Sequence, residues 1–317
     1  MKAAIVREAG KLPVYAEFEE PHAASGESVI EVAAAPLSHV TKARASGTHY
    51  SASAAFPFVA GLDGVGRRAD GGRVYFFMPR APFGSMAART AVNASHCVPL
   101  PDDIDDVTAA AIAIPAMSSW AALKERAKFV AGESVLINGA TGTSGRLAVR
   151  IARHLGAGRI VATGRARDAL AALSSLGADA TVALQQDDAA MARAFVHEFE
   201  GGVDIVLDYL WGPSAESLLI AAAKVGKPLR FVQIGSIGGA AIPVPAHTLR
   251  SFPLDIMGSG IGSVPMPRIH NALGEVLRAA SAAGLTTAAK TVPLADVEKH
   301  WSTLDPQSRT VFLCRDA

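Results

Sequence analysis

The sequence predicts an α/β protein of two domains, one β-rich and one a doubly wound parallel sheet with helices on both faces. Three observations carry this. At 317 residues the chain is long for one hydrophobic core. From Glu133 to about Ser236 short apolar runs alternate with helical patterns, the texture of a parallel sheet. The first hundred residues differ, with brief apolar runs separated by Gly, Pro and Asp, as in an antiparallel domain with irregular connections.

In order, the β-rich part offers Lys2-Ala3-Ala4-Ile5-Val6, Ser28-Val29-Ile30-Glu31-Val32 and Val74-Tyr75-Phe76-Phe77 as strands. Pro99, Pro101 and Asp102-Asp103 mark a break, and a helix resumes from Asp105 to Ile114. Pro115 is expected to interrupt it, with a second helix from about Ser118. The parallel sheet then opens with Val135-Leu136-Ile137, a branched apolar run suited to a buried strand. A glycine turn follows, Gly139-Ala140-Thr141-Gly142-Thr143-Ser144-Gly145. Ala148, Ile151, Ala152 and Leu155 then fall at i, i+3, i+4 and i+7, one face of a helix that Gly156 and Gly158 end. Ile160–Thr163, Val203–Leu207 and Leu229–Ile234 are further strands, with helices over Ala169–Leu176 and Met191–Phe199. Residues 235–267 are rich in Gly, Pro and Ser and read as loops. A helix near Ile269–Ala283, a strand Lys290–Leu294, a helix Ala295–Leu304 and a strand Thr310–Cys314 complete the chain.

Strand, glycine turn, helix and strand in this order form a dinucleotide-binding unit. In that unit the first glycine makes the turn, the second lets backbone approach the pyrophosphate, and the third lets helix pack on strand. Here the pattern is Ala140-x-Gly142-x-x-Gly145, which makes Ala140, Thr141, Gly142, Thr143 and Ser144 the candidate pyrophosphate contacts. The amides of Thr143 and Ser144 sit at a helix N-terminus, which favours an anion. The end of the second strand reads the ribose. Carboxylates accept from a 2′-hydroxyl there, but this chain has Thr163-Gly164-Arg165-Ala166-Arg167, with no carboxylate before Asp168. A guanidinium takes a 2′-phosphate by charge-assisted bonds. NADP(H) is therefore the expected cofactor, with Gly164, Arg165 and Arg167 beside it; a solvated helix charge is an equal reading of Arg167.

Composition excludes several classes. The formal net charge is +1 and no basic tract is interleaved with aromatics, against a nucleic-acid partner. No run of 18 or more apolar residues suggests a membrane span. Arg7, Glu8 and Lys11 lie where a signal peptide needs its apolar run. Cys97 and Cys314 are too few for a disulfide framework or a thiolate zinc site. The expectation is a cytoplasmic protein acting on a small molecule.

Further segments carry a resemblance. They are Gly61-Leu62-Asp63-Gly64-Val65-Gly66, Gly72-Arg73-Val74-Tyr75, Ala131-Gly132-Glu133-Ser134-Val135-Leu136 with the glycine turn, Leu176-Gly177-Ala178-Asp179 and Val206-Leu207-Asp208. In these the sequence resembles the medium-chain dehydrogenase/reductase superfamily, and within it the zinc-free NADPH:quinone oxidoreductases. The resemblance spans nearly the whole chain. It implies a GroES-like catalytic domain from residues 1–116 and 256–317, a Rossmann NADP-binding domain over 117–255, an active site in the cleft between them, and a homodimer.

It also implies no metal. Where the alcohol dehydrogenase branch places zinc ligands, this chain has Ser38 and Leu62, and His39, His49 and His96 lack motif spacing. Chemistry without a Lewis acid needs an electron-poor acceptor, a quinone or activated α,β-unsaturated carbonyl, with hydrogen-bond donors for the developing oxyanion. The resemblance points to Ser38, Thr41, Lys42 and Tyr50 as the catalytic candidates, although some relatives carry Asn and Asp where Ser38 and Thr41 stand. It adds Ser118, Tyr209, Gly258 and Ser259 near the cofactor, while Gly235 and Ser236 end the fifth strand, where ligands gather. Trp211, Phe252 and Met257 are either a substrate wall or core. The alternatives are an enoyl-thioester or aldehyde/alcohol reductase on the same scaffold, and a non-catalytic NADPH-binding sensor or structural protein.

Overall fold

A computed structural model describes residues 1–48, 55–184, 187–303, 305 and 308–315. The chain is α/β and divides into two compact units. One comprises Met1–Ile114, Leu273–Ser281 and Thr286–Ala317; the other comprises Pro115–Ala272 and Ala282–Leu285.

The second unit is built on a six-stranded parallel sheet. Its strands are β1 (Ser134–Asn138), β2 (Arg159–Gly164), β3 (Ala180–Ala183), β4 (Ile205–Asp208), β5 (Leu229–Gln233) and β6 (Leu254–Gly258). They lie in the order 3-2-1-4-5-6, which is that of the Rossmann fold. Val135, Leu136 and Ile137 are all fully buried, because helices cover both faces of a central parallel strand. Helices α1 (Thr143–His154), α2 (Arg167–Ala171), α3 (Asp188–Glu200) and α4 (Gly212–Val225) follow β1 to β4. Helix α1 buries Leu147, Ala148, Val149, Ile151 and Ala152, and Gly156 turns the chain at φ +90°.

β6 departs from the sequence reading, which has only loops there. Its five residues are half-buried or exposed, so the strand lacks the apolar run that marks its neighbours, yet it pairs with β5 from Leu254 to Gly258. The expected domain boundary between 255 and 256 falls inside it. Pro115 departs from expectation too: one helix runs from Asp106 to Ala121 through it. The Pro115 carbonyl accepts from Ser118 Oγ at 2.7 Å. The helix continues as a π-turn over Ala122–Arg126. By length and composition Asp106–Arg126 could cross a membrane, but 72% of its apolar window is buried inside the protein.

In the first unit, the described residues form a seven-stranded sheet and a three-stranded one. The larger sheet runs Ala288–Pro293, Ser308–Leu313, Glu27–Pro36, Asp63–Arg68, Arg73–Phe77, Cys97–Pro99, and Arg89–Asn93 also pairs with Glu27–Pro36. Its core gathers Ile30, Val32, Phe76, Met86, Trp301 and Phe312.

Candidate functional site

The glycine turn is held from beneath. Ala140 N donates to Thr163 O at 2.8 Å, and Gly139 N donates to Thr163 Oγ1 at 3.0 Å. Gly139 sits at φ +89°, a conformation L side chains rarely adopt. A Cβ on Gly145 would lie 2.4 Å from Gly139 O and 2.5 Å from the Ala140 Cα, so the third glycine is what lets helix pack on turn. Gly142 is the N-cap of α1 and has no side chain to cap it, which leaves first-turn amides to an outside acceptor. The open side of Gly142, where an added Cβ would meet only Gly139 O at 3.9 Å, gives an anion room. These residues fit a dinucleotide pyrophosphate. Arg146, on the same first turn, was not picked out from the sequence, and no carboxylate among the described residues pairs with it.

At the end of β2, Gly164 packs against Thr141: an added Cβ would lie 2.3 Å from Thr141 Cγ2. Arg165 and Arg167 are exposed, and no carboxylate among the described residues pairs with either.

Beneath the turn lies a buried polar row. Asn138, Thr163 and Asp208 are each 0% exposed. Thr163 Oγ1 donates to Asn138 Oδ1 at 2.7 Å, and Asn138 Nδ2 donates to Asp208 Oδ1 at 2.8 Å. Asp208 also accepts from the amides of Leu210 and Trp211. Burial raises its pKa against the pull of these donors. Tyr209 is buried and its hydroxyl shares a 2.7 Å hydrogen bond with Ser119; burial pushes its pKa up to about 12. Ser118 lies beside this pair, and its Oγ donates to Pro115 O. An open pocket of about 400 Å³ joins Trp211, Gln233, Ser236, Ile256, Met257 and Gly258. Two predicted cofactor residues and two of the three predicted wall residues thus share one pocket. Phe252 is instead buried in the core of this unit. Gly235 lets its loop approach Tyr209, whose carbonyl an added Cβ would meet at 2.5 Å. Ser259 N donates to Gln233 O at 2.8 Å, anchoring the chain just after β6.

In the first unit, Ser38 caps the helix His39–Ala45: its Oγ accepts from Thr41 N at 2.9 Å and pairs with Thr41 Oγ1 at 2.9 Å. The expected catalytic serine therefore already has a structural task. Thr41 is 2% exposed and lines a cavity of about 280 Å³ with Arg44, Phe58, Leu62, Met78 and Phe83. Leu62 supplies an apolar wall there. Lys42 is not in that wall; its Nζ donates to Thr303 O at 3.4 Å, and burial lowers its pKa. Burial, with Lys42 and Arg309 nearby, also lowers the His39 pKa and favours neutral imidazole. Tyr50 and His49 lie outside the described residues. Among the described residues no group of three or more His, Cys, Asp or Glu side chains could hold a metal ion.

Sequence reading also missed a second buried carboxylate. Asp63 is 1% exposed, accepts from Tyr75 OH at 2.9 Å through Oδ2, and has no partner at Oδ1. Burial pushes its pKa up to about 7, against the opposing pull of Arg309 and Tyr75. Arg309 Nε and Nη2 are shielded and also without partners. The one available signal was an acidic residue opening the short Gly-Val-Gly run of a strand.

Comparison with known proteins gives three kinds of match. The zinc-binding dehydrogenase family matches residues 145–281. A probable NADPH-dependent quinone reductase of Emericella nidulans, tdiC, is 29% identical over 291 residues, covering 79% of this chain and 82% of that protein. The spectinabilin polyketide synthase system protein NorB of Streptomyces orinoci is 35% identical over 189 residues, 56% of this chain but only 8% of that protein. Among solved structures, the quinone oxidoreductase of Thermus thermophilus, also determined with NADPH, has a TM-score of 0.83 at 27% identity, covering 99% of this chain and 100% of that one. A 2-haloacrylate reductase shares the fold, with a TM-score of 0.83 at 22% identity over 99% of each chain.

Proposed function

We propose, from its similarity to the quinone oxidoreductase-like branch of the medium-chain dehydrogenase/reductase superfamily, that the chain is a zinc-independent, NADPH-dependent oxidoreductase reducing a quinone or an activated α,β-unsaturated carbonyl. The observation that carries this reading is the uncapped glycine turn beside a strand end that presents Arg165 and no carboxylate. When bound, the nicotinamide supplies a hydride to the acceptor.

The chain's own residues do the rest. Amides of Thr143 and Ser144 bind the pyrophosphate, and Arg165 takes the 2′-phosphate. Gly258 and Ser236, with the Trp211 pocket, border the nicotinamide end. In the first unit the apolar cavity suits a compact acceptor, and Thr41, held by Ser38, offers its hydroxyl to the oxygen on which charge develops. Tyr50 is assigned as proton donor. Ser38 and Leu62 stand where zinc ligands would be, which supports the metal-free reading. The exposed edge strand β6, where Ile256 is 40% exposed, is the surface we assign to a homodimer. A net charge of +1 without a basic tract supports a small-molecule partner, and two cysteines outside any disulfide fit a cytoplasmic location.

A second reading, an enoyl-thioester reductase, draws on the similarity to NorB. Steady-state oxidation of NADPH and NADH against quinones, simple enones and an enoyl thioester tests both. Turnover with quinones or enones and preference for NADPH are expected. Turnover with the thioester alone moves the acceptor class, and tight NADPH binding without turnover on any acceptor overturns the enzyme reading in favour of a non-catalytic binder. Arg165→Ala is expected to weaken NADPH binding by about 1.5–3 kcal/mol and to leave NADH unchanged. An unaltered preference would remove Arg165 from the site.

A further inference from the structure

We infer that Asp208 is a positioning residue for the cofactor, fixing the glycine turn and the Trp211 pocket relative to one another through a single buried row of hydrogen bonds; the inference rests on the NADPH-binding reading above. The row crosses the C-terminal ends of three adjacent strands, β4, β1 and β2. At one end Asp208 accepts from Trp211 N at 3.1 Å with both oxygens, and Oδ1 also accepts from Leu210 N at 3.0 Å. At the other end Thr163 Oγ1 accepts from Gly139 N at 3.0 Å. Asn138 joins them.

Two features separate this row from ordinary core packing. The first is the backbone it holds. Trp211 sits at φ 57°, ψ −154°, a conformation sparsely populated by residues with a side chain, and the next residue, Gly212, also has positive φ. The Asp208 carboxylate receives the Trp211 amide and so holds this turn, which places Trp211 in the pocket wall with Ser236 and Gly258. Such an outlier persists only where its surroundings over-determine it. The second is polarity. Asn138 must point Nδ2 at the carboxylate and Oδ1 at the Thr163 hydroxyl, so each member fixes the next. Asp208 needs both oxygens as acceptors. An asparagine there would aim an amide group at another donor, either Asn138 Nδ2 or the Trp211 amide.

The test compares full-length wild type, Asp208→Asn, Asn138→Asp and the double exchange, measuring NADPH Kd by fluorescence, KM and kcat with a turning-over acceptor, and thermal melting. The double exchange restores the donor–acceptor order between the two side chains, while turning an N–H toward the Leu210 amide that Asp208 Oδ1 accepts from in wild type. Its carboxylate, now on β1, accepts both from the Thr163 hydroxyl and from the side-chain amide now on β4, and the oxygen of that amide still accepts from Trp211 N. Asp208→Asn is expected to raise Kd and KM for NADPH about tenfold with kcat at saturation within about threefold, and the double exchange to bring both closer to wild type than either single exchange does. Thr163→Val, which keeps the side-chain shape and removes the contact to Gly139, is a milder variant should Asp208→Asn not fold; Kd should rise about threefold or more. Unchanged Kd and KM in the variants, with only melting or active fraction reduced, would overturn the inference, as would a double exchange no better than its parents. Failure of wild type to bind NADPH would instead refute the cofactor reading itself, and this inference with it.

Discussion

Each unit buries one aspartate at a strand end, and the two differ in what surrounds them. Asp208 is fully buried and receives N–H groups from Asn138, Leu210 and Trp211. Asp63 is as deeply buried, receives one hydroxyl, and leaves Oδ1 unpaired near an arginine whose Nε and Nη2 are unpaired. Burial raises both pKa values, and at Asp63 it carries the carboxyl up to about 7. Depth of burial sets the penalty on charge, while the number of donors decides how much of it remains.

The comparison breaks most visibly at Asp208. Asp208→Ala would strand three buried or half-buried donors and is expected to lower stability by about 3–5 kcal/mol, read by urea unfolding. A loss below about 1 kcal/mol would show that the row does little for the fold. At Asp63 the effect should run with pH. Its folded pKa, about 7, lies above the unfolded 3.8, so between these values the native state holds a proton that the unfolded chain has released. Stability attributable to Asp63 is therefore full below pH 3.8 and falls as pH rises toward 7, by up to about 4 kcal/mol. The unfolding free energy of wild type minus that of Asp63→Asn should decline across this window and then level; a flat difference would mean that Asp63 titrates normally. The smallest effect is expected from Tyr75→Phe. Removing the one donor should cost about 1–2 kcal/mol at roughly pH 8, where Asp63 is ionised, and less at roughly pH 5; equal losses at both would uncouple the hydroxyl from the carboxylate charge.

What the sequence made legible was local. The run Val135-Leu136-Ile137, the turn after it and the arginines closing β2 lie within one strand–helix–strand stretch, and the structure builds the predicted fold around them. The polar row was hidden because Asn138, Thr163 and Asp208 meet only when three strands align. The pairing of environments at Asp63, Tyr75 and Arg309 was hidden for the same reason, since Arg309 comes from a strand far along the chain. Pro115 misled because a missing N–H ends a helix in isolation but is tolerated in a packed one. β6 escaped because an edge strand need not be apolar. In the candidate site, Ser38 was singled out only through the resemblance, and its role as a cap depends on the Thr41 amide and not on any motif.

The division of the chain has a consequence for how the protein is made. The first unit draws on segments from before and after the second, and the boundary at Ile114 falls inside a continuous helix and not in a linker. A ribosome releases the N-terminus first. Nascent residues 1–114 must therefore wait for Ser308–Leu313, which pairs with Ala34–Pro36, while the parallel-sheet unit is already complete. Until then the Ala34–Pro36 edge is open to other chains. Pairing with Ser308–Leu313 is what closes this edge, so its exposure in the nascent chain lasts until that strand arrives.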